Sequence, residues 1–362
     1  MAYRMIQVGT GGWGARWCRD FLPPNINDGL VEVVAAVDIN PVALTNAQES
    51  LGLRTDQCYT DIRRAFGDNQ ADFCTVVVPP AAHEEVVDLA LAHDMHILSE
   101  KPIADTLISS ARIADKVMRA GKKMGVTLSH RFNQYKTTLR HTLRSGRYGA
   151  LDYLVCRFTA EARELGSWGR AGFRYEIPDP LLVEGSVHHL DILADLAGAK
   201  CNLIYAQTWN PPWSAFAGDA QALVTMAFEN GVRAFYEGAS ANAVGLDGWG
   251  REYTRAECEM ATLVLGRHHL ECFAYDPSRE SPTKEEGQGE RVRWLEQPKW
   301  GHVWLIEKFV RWLQGGEPME TNVEDNLQSV ALVSAAIESR RTGHPVTVQE
   351  HLAKARKAVM AA

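Results

Sequence analysis

The chain has 362 residues, 46% of them apolar and 23% charged, with a formal net charge of −7. That length exceeds what one hydrophobic core organises, so two domains are expected. Acidic and basic residues are interspersed, which leaves no basic stripe to track a phosphate backbone and excludes nucleic acid as a partner.

No low-complexity tract or internal repeat interrupts the sequence, so an ordinary globular protein is expected. The seven cysteines are odd in number, scattered, and free of C-x-x-C pairs. They read as reduced thiols and give no structural zinc site. Met1 leads directly into an apolar strand without a charged and apolar leader, and no apolar run approaches the roughly 18 residues of a membrane span. No membrane association and a cytoplasmic location are therefore expected.

In chain order, an apolar run from Met5 to Val8 breaks into Gly9-x-Gly11-x-x-Gly14, before a stretch that can be helical to about Phe21. Strand, glycine turn and helix form a dinucleotide-binding start. Gly9 permits the tight turn, Gly11 lets the backbone approach a pyrophosphate, and Gly14 allows close packing of helix on strand. A second apolar strand, "LVEVVAAVD", ends in Asp38, at the distance where a ribose-binding acid is expected. The plainer alternative for Asp38 is a second capping residue beside Asn40, which caps the next helix ahead of Pro41. Ile39 brings no cation to balance a 2′-phosphate, so NAD is expected in preference to NADP.

Strand-like "ADFCTVVVPP", helical "AAHEEVVDLALAHD", strand-like "HILSE" and helical "LISSARIADKVMRAGKK" continue the alternation. Such alternation implies right-handed crossovers and a parallel sheet. "GVTLSHRFN" supplies a sixth strand, whose polar end, Ser129 to Asn133, emerges at the edge that carries Asp38 and Pro79-Pro80. That edge is a convergent polar crevice.

The glycine turn ending in Trp13-Gly14, together with "VVVPPAAH" and "HILSEKP", resembles the glucose-fructose oxidoreductase and inositol dehydrogenase family, Gfo/Idh/MocA. The segment from Phe309 to Val348 resembles that family's closing stretch. The resemblance implies that Lys101 lies beside the nicotinamide and the substrate hydroxyl, and that its bond to Pro102 is cis. It also implies cofactor contacts from Gly9, Gly11, Gly12, Trp13, Gly14, Asp38, Ile39, Pro79, His83, Glu100 and Lys101. Substrate contacts are expected from Arg131, Asn133, Trp168 and His189. Read without the family, a lysine at a rigid strand end followed by a proline can be aimed into a crevice, or can belong to a solvated pair at a helix start.

Past residue 124 the pattern changes to long alternating strands, with Asn230-Gly231 marking a hairpin. A large open, mostly antiparallel sheet in an α+β domain is expected. Helices cover one face, and the resemblance implies a homodimer or homotetramer through the sheet. Between the strands, "DPLLVEGSVHHLDILADLAG" suits a helix that packs Leu182, Leu190, Leu193 and Leu196 on the sheet. Glu184, His188 and Asp191 share a face of that helix, which puts a carboxylate within reach of an imidazole. His189 points about 100° away and is the weaker candidate. A polar surface stripe is the plainer reading. The adjacent histidines face different ways, so no metal is expected. In the resembling family an acid and a histidine four residues later join the lysine, which implies Lys101, His188 and Glu184 as the catalytic trio. Glutamate here replaces the more usual aspartate. The glycine-rich segment "GSWGRAGFRYE", residues 166–176, reads as a loop over the substrate.

The expected architecture is a Rossmann domain over residues 1–123 and a substrate-binding and oligomerisation domain over 124–362, with the C-terminal helix packed back on the first domain. The expected function is NAD-dependent hydride transfer at a secondary hydroxyl carbon of a sugar, sugar derivative or cyclitol. The alternatives are a dihydrodiol-type dehydrogenase and a catalytically silent sensor of the same fold, which would be expected to lose the lysine or the histidine.

Overall fold

A computed structural model describes residues 2–168, 172–266, 269–278 and 283–361. They divide into two compact units, one of residues 2–132, 298–330 and 355–361, the other of residues 133–297 and 331–354.

The first unit is built on six parallel strands: β1 (Tyr3–Val8), β2 (Val31–Val37), β3 (Cys58–Tyr59), β4 (Phe73–Val76), β5 (His96–Ser99) and β6 (Met124–Val126), in the order β3-β2-β1-β4-β5-β6. The central strands are nearly continuous apolar runs because helices cover both faces of such a sheet. β1 is the switch point, with β2 on one side and β4 on the other. The first crossover starts at Trp13 and reaches Asn27, beyond the expected Phe21, because a π-helical turn at Trp17–Phe21 leads into a further helix, Leu22–Asn27. Asn40 caps Pro41–Leu51 through Val42 N, as its residue type predicts.

The boundary expected at residue 123 falls one strand too early. β6 pairs with β5 through Ile97 with Met124 and Ser99 with Val126. Residues 298–330, expected in the second domain, also belong to this unit. Val126 N donates to Thr321 O at 2.8 Å, and Thr321 Oγ1 donates to Val126 O at 2.6 Å. A side chain at Gly125 would meet Met319 Sδ and Phe309, so glycine there allows the close approach. Local periodicity carries no record of a segment that returns across some 170 residues.

The second unit carries nine strands: β7 (Leu151–Thr159), β8 (Cys201–Trp209), β9 (Gln221–Phe228), β10 (Arg233–Ala239), β11 (Tyr253–Cys258), β12 (Ala261–Leu265), β13 (Leu270–Ala274), β14 (Glu290–Val292) and β15 (Val346–Thr347). Their order is β14-β13-β12-β11-β7-β10-β9-β8-β15. Every pairing is antiparallel except β7 with β10. β9 and β10 form the hairpin signalled by Asn230-Gly231, where Gly231 adopts φ 92°. One face of the sheet buries Leu154, Cys156, Phe158, Ile204, Val224, Met226 and Tyr236, and the helix Val187–Ala197 packs on β7 and β10. The other face leaves Leu203, Trp209 and Phe235 exposed.

Candidate functional site

Within the first unit, the turn after β1 is shaped by two glycines. A Cβ at Gly9, where φ is +83°, would collide with Val77 O, and one at Gly14 would collide with Gly9 O. The turn is therefore closed tightly on its inner side. Outward, a Cβ at Gly12 would meet nothing within 4 Å. The first amides of the helix beginning at Trp13 have no acceptor inside that helix, which leaves a partly positive end. A turn open at Gly12, at a helix start beside the switch strand, fits a pyrophosphate.

Asp38, at the end of β2, reaches back to this turn. Its Oδ2 accepts from Thr10 N at 2.7 Å and Gly11 N at 2.8 Å, and its Oδ1 accepts from Asn40 N at 2.9 Å. The capping alternative is thus realised in an unexpected form, because Asp38 holds the glycine turn as well as the next helix. Ile39 follows it with 91% exposure.

Lys101 follows β5 and is half-buried. Its bond to Pro102 is cis, and its amide donates to Glu100 Oε2 at 3.2 Å. Glu100 Oε1 accepts from the indoles of Trp13 at 2.8 Å and Trp17 at 2.9 Å. The backbone of Lys101 is therefore tied, through one buried carboxylate, to the helix that leaves the glycine turn. His302 lies 4.0 Å from the same Glu100 oxygen and stacks on Phe21 with centroids 4.3 Å apart. Burial pushes its pKa down, against the pull of Glu100. Sequence reasoning missed Trp17 and His302. The i, i+4 repeat from Trp13 was a signal for Trp17; none existed for His302.

Several residues expected at ligands also have framework partners. His83 has no exposed surface, and its ring nitrogens lie 2.9 Å from Val78 O and 3.1 Å from Ile103 O. Burial lowers its pKa, and its part is to brace the loop at exposed Pro79 against the segment after Lys101. Arg131, expected at the substrate, is buried and pairs with Asp325 Oδ2 at 2.9 Å and with Glu320 O at 3.1 Å. It anchors the returning segment. Asn133 is the N-cap of Gln134–Arg144, where its Oδ1 accepts from Tyr135 N and Lys136 N.

Within the second unit, the helix carrying Glu184 and His188 begins as a π-helical turn, Leu181–Ser186, and continues as the α-helix Val187–Ala197. Such wide turns recur at functional sites. The expected polar stripe is not at the surface: Glu184, His188 and Asp191 are all buried. Glu184 Oε2 accepts from Arg174 Nε at 3.1 Å, an ion pair that sequence reasoning missed because Arg174 lies in a separate 3-10 turn, Gly172–Tyr175, whose placement against Glu184 has no periodic signal. His188 meets the edge of Trp249 with centroids 5.9 Å apart. Trp168 packs against Gly185, between Glu184 and Ser186, and its amide donates to Tyr175 Oη at 2.8 Å. Of the expected substrate loop, residues 169–171 lie outside the described residues.

His189 is buried and has polar partners on both ring nitrogens. Ser186 Oγ donates to Tyr236 Oη at 3.0 Å, and that hydroxyl meets His189 Nδ1 at 2.9 Å. The other ring nitrogen faces Glu252 Oε1 at 3.5 Å. Burial lowers the His189 pKa and raises that of Tyr236. Beneath them, Lys136 Nζ donates to Thr254 Oγ1 at 2.8 Å and lies 3.6 Å from Glu252 Oε2. This buried polar chain fixes the helix start against the sheet, since each of its members would be costly to leave unpaired.

A parallel sheet with a glycine turn at its switch strand and an acid at the next strand's end defines a dinucleotide-binding fold. The model of the oxidoreductase family's NAD-binding Rossmann fold matches residues 4–131, and that of the same family's C-terminal alpha/beta domain matches residues 143–348. The chain belongs to the Gfo/Idh/MocA oxidoreductase family. It is 52% identical over 352 residues to the uncharacterized protein y4oX of Sinorhizobium fredii, covering 97% of each chain. It is 24% identical to D-apiose dehydrogenase of Paraburkholderia graminis, over 90% of this chain and 85% of that one. Among solved structures, an oxidoreductase from Agrobacterium radiobacter in complex with NAD+, L-tartaric acid and magnesium superposes with a TM-score of 0.82. That pair shares 20% identity and covers 97% of this chain and 99% of the other.

Proposed function

We propose that the protein oxidises a secondary hydroxyl of a sugar, sugar derivative or cyclitol with NAD. The observation that carries this reading is the Glu100 carboxylate, which ties the Lys101 amide to the indoles of Trp13 and Trp17 and so links the strand-end lysine to the dinucleotide turn. NAD, when bound, accepts hydride from the carbinol carbon. Gly11, Gly12 and the helix-start amides would hold its pyrophosphate, with Trp13, Ile39 and Pro79 beside the turn. Asp38 retains acceptor capacity at Oδ1 for ribose hydroxyls. Lys101 hydrogen-bonds the substrate oxygen and stabilises negative charge developing on it, and His188 takes the hydroxyl proton. Glu184, neutralised by Arg174, holds the loop around Phe173 and Tyr175 against the turn that leads to His188.

The exposed sheet face with Leu203, Trp209 and Phe235 supports a homodimer or homotetramer through that sheet, since large apolar patches mark interfaces. No helix among the described residues is long and apolar enough to cross a membrane. All seven cysteines are free thiols, which supports a reducing, cytoplasmic compartment.

The test is a pair of variants on a polyol that the parent oxidises. Lys101→Ala and His188→Ala should each cut turnover by roughly 10²- to 10⁴-fold, while NADH affinity stays within a few fold. Near-parental turnover in either variant sinks that residue's assignment. A parent that binds NADH but oxidises nothing in a broad carbohydrate panel moves the reading to a sensor.

A further inference from the structure

The segment that returns to the first unit at residues 298–330 brings an imidazole to the glycine turn. His302 stands in the first turn of the helix Gly301–Leu313, and the chain on both sides of it is fastened to the first crossover. Asn25, fully buried, donates to Val303 O at 3.0 Å and accepts from Lys299 Nζ at 3.0 Å. The backbone of His302 is therefore placed by contacts that do not involve its own ring.

That ring lies flat on Phe21, with planes at 5°. It makes edge contacts with Trp13, at 5.6 Å and 64°, and with Trp17, at 6.1 Å and 78°. Its Nε2 is 4.0 Å from Glu100 Oε1, the oxygen that accepts from both indoles. A contact of that length is not a hydrogen bond, and burial pushes the imidazole pKa down, so the ring is uncharged near neutrality. What it supplies is a flat body between Phe21, the two indoles and the carboxylate. Trp17 has no exposed surface and is gripped by the core, whereas Trp13 keeps 43% exposure. The Arg16 guanidinium, half exposed, lies 5.1 Å from the Trp13 ring. Deleting the imidazole would open a void beside the Trp13–Glu100 bond and leave this indole the freer of the two to move.

We propose that His302 is a positioning residue for the cofactor: its ring packs the Trp13 indole onto Glu100 and so fixes the start of the crossover helix at the glycine turn. This rests on the cofactor placement proposed above and adds to it a residue from a distant part of the chain. His302 acts through Trp13 and not on the reacting atoms.

The test titrates NADH into the full-length parent and its variants by calorimetry, with thermal unfolding to show that each is folded at the temperature used. His302→Ala should weaken NADH binding by about tenfold, the order that one buried ring contact carries. His302→Leu fills the volume without a flat ring and should lose as much; it stands in for the alanine variant if that one does not fold. His302→Phe keeps a ring on Phe21 and should stay within about threefold of the parent. Trp13→Phe removes the indole donor and should itself weaken NADH binding. In the Trp13→Phe background His302→Ala should cost less than about twofold more, because residues that act through one another do not add. A histidine that served only the core would lower the unfolding temperature and leave the NADH affinity of the folded protein unchanged. The inference is overturned by that result, by a phenylalanine variant that loses as much as the alanine one, or by losses that add in the double variant. In each of those cases NADH binding by the parent leaves the oxidoreductase reading standing. A parent that does not bind NADH overturns both.

Discussion

Asp38 shows how one side chain can carry two tasks. Its Oδ2 accepts the Thr10 and Gly11 amides and its Oδ1 the Asn40 amide, so the carboxylate shapes the glycine turn before any ligand arrives. Hydrogen bonds to a charged group contribute more than neutral ones, and amides left without an acceptor are costly. Asp38→Ala should therefore lower the stability of the cofactor-free protein by about 1–3 kcal/mol in urea unfolding, and NADH affinity should fall as well. A variant with parental stability and weakened NADH binding would show that the carboxylate serves the ribose alone. The loss of affinity should not be offset by a gain for NADP, because exposed Ile39 supplies no cation.

At the scale of elements, the helices His83–Ala92 and Leu107–Arg119 are clasped by a charge network. Arg112 donates to both Glu84 oxygens at 2.6 and 2.7 Å, and Lys116 bridges Glu84 at 2.9 Å and Asp88 at 2.7 Å. The Arg112 guanidinium, aided by Lys116, holds the Glu84 carboxyl down at about 2, against an ordinary 4.5. A carboxyl whose folded pKa is depressed stabilises fully above its unfolded value and loses that contribution as pH falls through the folded one. Glu84→Gln should cost about 1 kcal/mol near neutrality, and its difference from the parent should shrink from pH 4.5 towards pH 2. Urea midpoints measured across that range check it; a gap that stays constant would assign the cost to packing.

For the molecule as a whole, the nine-stranded sheet poses the question of what covers its open face. Antiparallel sheets tolerate water on one side, but Phe235 at 37% exposure lies between Thr225 on β9 and Val155 on β7, in the middle of the sheet. Phe235→Glu should convert the expected dimer or tetramer to a monomer by light scattering, with NADH affinity unchanged. A monomeric parent would refute the interface.

What the sequence by itself determined is local. The glycine turn, the Asn40-Pro41 helix start, the Asn230-Gly231 hairpin and the Glu-Lys-Pro strand end are legible because backbone sterics and hydrogen-bonding periodicity act over a few residues. The order of strands and helices follows from the same short-range signals. Only the tertiary structure decided the partners: Glu100 with Trp17 across 83 residues, Arg131 with the main chain of Glu320 across 189, and His189 with Tyr236 across 47. A polar residue on a helix face has the same sequence signature whether it meets water, a ligand or a buried partner. Arg131, Asn133, His83 and His189, expected at ligands, each have framework partners as well, and the pairing of Arg174 with Glu184 has no local signal. Which of these a side chain meets depends on what the fold brings opposite to it, and that is set by packing between segments far apart in the chain.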